Sequence, residues 1–178
     1  MSVTRTRRPR MFTFDLAEPG QVDALLAAVN LDRPKRPPGP TDDVPQFADD
    51  LRRLASPEAG DVPAALQLRR SKDGASQEAS LRRQLGDGVR ALLARKEDLR
   101  LVRVYVIEMI SGGLLWRQGV LDPIVADAKQ GLFRELWHWD SARLGRMPPT
   151  QKSAYRDSLE RCGVQVFDLS TSDPRRQD

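Results

Sequence analysis

"LRLVRVYVIEM", residues 99 to 109, decides how this chain is read. β-branched and aromatic side chains crowd it, and such residues suit a pleated, packed surface, so the stretch is a strand. Working outward, its neighbours alternate in kind. "SQEASLRRQLGDGVRALLARKE" (76 to 97) places Leu81, Leu85, Val89, Leu92 and Leu93 at helical spacing with charge on the other face, although Gly86 and Gly88 weaken the helix. "AALQLRR" (64 to 70) is a short strand before it. On the other side, "DPIVADAKQG" (122 to 131) has proline in its first turn and glycine at its end, which predicts a helix. "LFRELWHWD" (132 to 140) is another strand, "TQKSAYRDSLERCG" (150 to 163) a helix closed by Gly163, and "VQVFDLS" (164 to 170) a last strand. Strand alternating with helix from Ala64 to Ser170 predicts an α/β fold. Its expected form is a three-layer sandwich around a mostly parallel sheet of four or five strands.

The front of the chain has a different texture. Nine of the thirteen prolines fall within the first 63 residues, and "RPKRPPGPTDDVP" (33 to 45) holds neither helix nor strand, because proline removes donors and restrains its neighbours. Short amphipathic stretches flank it, "GQVDALLAAVN" (20 to 30) and "PQFADDLRRLA" (45 to 55). Residues 1–60 are therefore expected to be an irregular, proline-rich extension of small helices or partial disorder, with a disordered arginine-rich start. Residues 61–172 form the predicted domain and 173–178 a tail.

The chain has 178 residues, a formal charge of +4 and a pI near 9.6. That balance suits a nucleic-acid partner without demanding one. A single cysteine, Cys162, excludes an internal disulfide, and with one histidine, His138, no zinc site is expected. No apolar run reaches the roughly 18 residues of a membrane span. No apolar core follows the basic "MSVTRTRRPRMF", so no secretory signal is read there, and a soluble cytoplasmic protein is expected.

In parallel sheets, ligands bind at the carboxyl ends of the strands. There the sequence puts Arg69 and Ser71 in "LRRSKDG", Ser111 and Arg117 in "EMISGGLLWRQG", and Arg143 and Arg146 in "WHWDSARLGRM". Arginine's planar fork matches phosphate oxygens and is always charged, so such a rim expects a phosphodiester. A serine hydroxyl among the arginines is suited to attack phosphorus, with the guanidiniums stabilising the transition state and no metal required. Taken singly, each residue has a plainer reading. Ser71 is then a turn or capping serine, and Arg143 and Arg146 pair with an acid such as Asp140. His138 and the aromatic Phe133, Trp137 and Trp139 pack a strand, and Cys162 is a small buried residue on the last helix.

Together, from Ala64 to Ser170, these residues resemble the catalytic domain of serine recombinases, the resolvase and invertase group. Arg69-Arg70-Ser71 is similar to that family's nucleophile motif, Ser80-Leu81-Arg82-Arg83-Gln84 to its Ser-Leu-x-x-Gln step, and Arg117-Gln118-Gly119 to its Arg-x-Gly. "ARLGR" resembles the signature Asp-Arg-Leu-x-Arg, with Ala142 in place of the aspartate and Asp140 two residues earlier; Gln67 stands where a tyrosine is common. The resemblance implies a resolvase-like fold. It also implies a site-specific recombinase that cuts and rejoins DNA through a 5′-phosphoserine at Ser71, with no cofactor. Arg69, Arg117, Arg143 and Arg146 would bind the scissile phosphate, and Gln84, Ser111 and Asp140 would support the pocket. The family's long dimer helix and DNA-binding domain do not follow Ser170. A homodimer or tetramer is then expected only if another chain supplies that helix, and truncation together with Ala142 puts activity in question. The alternative is an impaired recombinase-like module, DNA-associated or partner-binding. A phosphate-ligand domain on a flavodoxin-like sheet is a weaker reading, since no glycine-rich loop follows the first strand. Nucleoid-associated cytoplasmic localisation is what the resemblance implies.

Overall fold

The computed structural model describes residues 10–31, 44–71, 81–95, 98–109, 119–138 and 149–169. Within them run β1 (Arg10–Asp15), α1 (Gln21–Leu31), α2 (Val44–Ala55), β2 (Val62–Ser71) and α3 (Leu81–Ala94). There follow β3 (Leu99–Met109), α4 (Asp122–Lys129), β4 (Glu135–His138), α5 (Pro149–Arg161) and β5 (Gln165–Asp168). The strands form one sheet in the order β1-β3-β2-β4-β5. β3, β2, β4 and β5 are parallel, and β1 lies antiparallel on the outer side of β3. Every helix and strand expected between residues 62 and 169 is present.

The chain steps from β2 to β3 through α3, then returns past β2 to β4 through α4, and goes on to β5 through α5. Right-handed crossovers made in opposite directions put their helices on opposite faces. The core accordingly divides in two. On one face α1, α2 and α3 bury Leu25, Leu51 and Leu85 against Leu66, Leu68 and Val104. On the other, α4 and α5 bury Ile124 and Leu159 against Ala65, Tyr105 and Leu136. The molecule is a three-layer α/β sandwich.

The opening stretch hides one irregularity. Ala64 pairs with Leu101 but Ala65 pairs with Arg103, so Val102 is an extra residue in β3. This β-bulge reverses the parity of the strand. Leu99 and Leu101 before it share a face with Val104 and Val106 after it, while Arg103 and Tyr105 turn towards α4. Gly88, which weakens α3 on propensity, allows close approach instead. A Cβ there would come within 3.0 Å of Leu66 Cδ2, so its absence lets the helix settle on β2.

The front of the chain carries the two short helices expected there, α1 and α2, but they are not part of an irregular extension. From Arg10 onward it is an integral part of the sandwich. β1 pairs with β3 along its whole length, and α1 and α2 bury Leu26, Val29, Phe47 and Leu54 in the same cluster as α3. Residue 61 does not separate two cores. The physical reason is that neither short helix buries its apolar face alone; both need the sheet face that β2 and β3 supply. Residues 1–9, most of the proline-rich 33–45 and the tail 173–178 lie outside the described residues.

Trp137 and Phe133 pack as the strand reading expects, on opposite faces. Trp137 stacks on Phe167 at 4.4 Å, and Phe133 meets Tyr105 edge-on at 6.2 Å. Glu135, nominally a surface residue type, is buried. Its carboxylate accepts from the Trp137 indole N–H at 2.9 Å and pairs with Arg95 at 3.0 Å, whose guanidinium covers Phe167 at 4.2 Å. Cys162 is half-buried rather than buried, and sits one residue past the end of α5 with its thiol on the Ser158 carbonyl.

Candidate functional site at the carboxyl edge of the sheet

The order β3-β2-β4-β5 has a topological switch between β2 and β4, where successive connections leave in opposite directions. In open parallel sheets, the carboxyl edge at such a switch is where ligands bind. Among the described residues the last pair of β4 is Gln67 with His138, and β2 pairs with β3 as far as Ser71 opposite Met109. The carbonyl of His138 turns outward to accept from Leu169 N–H at 2.8 Å.

At Arg69 a side chain makes the two bonds that a neighbouring strand would make. Gln84, buried on α3, accepts from the Arg69 N–H at 2.9 Å and donates to the Arg69 carbonyl at 2.7 Å. A parallel neighbour strand offers one acceptor and one donor at such a position, and a primary amide carries the same pair in one plane. Arg69 is thereby fixed by its backbone two residues before β2 ends. Its side chain is partly buried, with Nε and Nη1 shielded from solvent, so a permanent positive charge is held at the edge.

Of the residues singled out from sequence, Arg69 and Gln84 are brought together, and Ser71 is the final residue of β2 rather than of a following loop. Ser111, Arg117, Asp140, Arg143 and Arg146 lie outside the described residues, as do Trp139 and Ala142. His138 is buried at the end of β4.

A set of polar contacts below the edge escaped the sequence reading. The Tyr105 hydroxyl donates to Asp127 of α4 at 2.6 Å. Arg103 joins the same carboxylate at 3.4 Å and Asp15 of β1 at 3.1 Å. Burial, with the Asp127 carboxylate beside it, pushes the Tyr105 phenol far above its ordinary range, and Arg103 only partly offsets this. The Tyr155 hydroxyl of α5 donates to Oε1 of buried Gln67 at 3.0 Å, and burial raises that phenol too. Tyr155 also lines an open cleft of about 470 Å³ between α4 and α5, with Leu121, Val125, Lys129 and Gln151. A tyrosine inside an apolar strand, as in "VRVYVIEM", is the signal that could have pointed to the first of these contacts.

Among the described residues, no group of three or more His, Cys, Asp or Glu side chains is placed to hold a metal ion, and no helix is long and apolar enough to cross a membrane. No family model, curated protein or solved structure matches this chain.

Proposed function

We propose that this chain is a catalytic domain of the serine-recombinase type, with a resolvase-like fold, that cuts and rejoins DNA. The observation that carries the reading is the Arg69 backbone gripped by Gln84, two residues before Ser71. An arginine held by its backbone and a serine at the switch point of a parallel sheet suit a phosphodiester. In the proposed reaction the Ser71 Oγ attacks phosphorus, the bond from phosphorus to the 3′-oxygen breaks, and the hydroxyl proton passes to the leaving oxygen. A 5′-phosphoserine and a free 3′-hydroxyl result. Attack by another 3′-hydroxyl reverses the step and frees the serine, so no outside energy source is consumed. Arg69, Arg117, Arg143 and Arg146 neutralise the phosphate as charge builds on it. Ser111 and Asp140 support the pocket. DNA is the partner, a nucleoid-associated location follows, and dimers or tetramers form where a further helix joins the copies.

The test is a supercoiled plasmid carrying the DNA that flanks the gene, beside a plasmid library with a randomised site. Protein is expected covalently attached to 5′ ends, and Ser71→Ala abolishes the adduct. If wild type and Ser71→Ala give the same products on both, the reading fails. Ala142, in the position of the signature aspartate, favours a second reading, a DNA-binding module without catalysis. Under it, wild type binds DNA uncut and Ala142→Asp gains cleavage.

A further inference from the structure

We propose that Tyr155 and Gln67 are a positioning pair that fixes the end of β2 from the α4/α5 face, opposite the grip of Gln84. This deepens the function proposed above and rests on it where it concerns rate. Three observations carry the inference. First, Gln67 pairs with Tyr105 of β3 and His138 of β4, and Arg69 and Ser71 are the next two alternate positions along β2. Second, the two ties come from helices on opposite faces. Gln84 of α3 holds the backbone of Arg69, and Tyr155 of α5 holds the side chain of Gln67, within three residues of each other. Third, the site is closed to water. Gln67 is 4% exposed, and its strand neighbours Tyr105 and His138 are buried, as are Ala65 and Leu136 on the same face.

An apolar pair would fill that space without the desolvation cost of an amide and a phenol. Replacing both partners of a buried hydrogen bond by apolar groups of similar shape is often neutral or stabilising. What the apolar pair would lack is direction: a hydrogen bond fixes the amide's orientation, whereas dispersion contacts let the strand slide or twist. The pair thus holds geometry rather than adding stability. α5 is also the helix that the chain enters three residues after Arg146, so the tie joins it to the strand that bears Arg69.

The experiment compares Tyr155→Phe, Gln67→Leu and the double variant with wild type in three readouts. These are the thermal midpoint, hydrogen exchange of the peptide spanning residues 66–71, and the rate of covalent adduct formation on the plasmids described above. The double variant is expected to melt at or above the wild-type temperature. Its β2 end is nevertheless expected to exchange about tenfold faster, and its adduct to form roughly ten- to a hundredfold more slowly at unchanged DNA affinity. Because the apolar pair leaves no orphaned polar group, it stays folded where a single variant does not. Unchanged exchange in the folded double variant overturns the positioning role whatever the chemistry. Faster exchange with an unchanged adduct rate overturns its part in the reaction. Faster exchange in a protein whose wild type forms no adduct sinks the recombinase reading and leaves the structural tie standing.

Discussion

At Gln84 one amide side chain takes over the work of a strand. It bonds both the N–H and the carbonyl of Arg69, and it is itself 1% exposed. Gln84→Leu removes the donor and the acceptor together and leaves two shielded backbone groups without them. A loss of about 2–5 kcal/mol is expected in urea unfolding. Gln84→Glu keeps the acceptor for Arg69 N–H and should lose less. Gln84 stood out in sequence only through the resemblance of Ser80–Gln84 to the recombinase Ser-Leu-x-x-Gln step. The Tyr155–Gln67 contact was not legible, because 88 residues separate its partners and nothing local marks either one. The two raised phenols have a consequence in alkali. Below pH 10 both folded and unfolded chains keep the phenolic protons. Above it the unfolded chain releases them while folded Tyr105 and Tyr155 hold theirs, so stability falls as pH rises, by up to about 1.4 kcal/mol per pH unit for each group. Unfolding midpoints measured from pH 9 upward should show the decline, and it should be shallower in Tyr105→Phe.

Elements between residues 62 and 169 were legible because their apolar spacing matches one period at a time. Leu81, Leu85, Val89 and Leu92 repeat at helical intervals, and all four are buried against β2 and β3. The front strand was not legible. "RMFTFD" is six residues long, follows an arginine run, and owes its strand state to pairing with a partner far away in sequence. The bulge at Val102 was equally hidden, since it changes which face Arg103 and Tyr105 occupy without changing the strand character of the stretch. These two features work together: the bulge turns Arg103 to where Asp15 of β1 and Asp127 of α4 meet it. Removing residues 1–60 is therefore expected to do more than shorten the chain. It strips the edge strand β1 and two of the three helices from one face of the sheet, leaving α3 alone to cover it. The shortened protein should aggregate or lose its near-ultraviolet circular dichroism.

For the molecule as a whole, alternation of strand and helix fixed the class of fold and pointed to the carboxyl edge as the place for chemistry. The order of the strands was not legible, because order depends on which way each crossover turns. The structure supplies that order, and with it the switch between β2 and β4 where Arg69 and Ser71 lie. The arrangement also bears on how the chain is made. β1 lies at one edge of the sheet, and the strand it pairs with ends at Met109. During synthesis Arg10–Asp15 leaves the ribosome some ninety residues before its partner strand is complete, and α2 about fifty. The edge must wait for its neighbour.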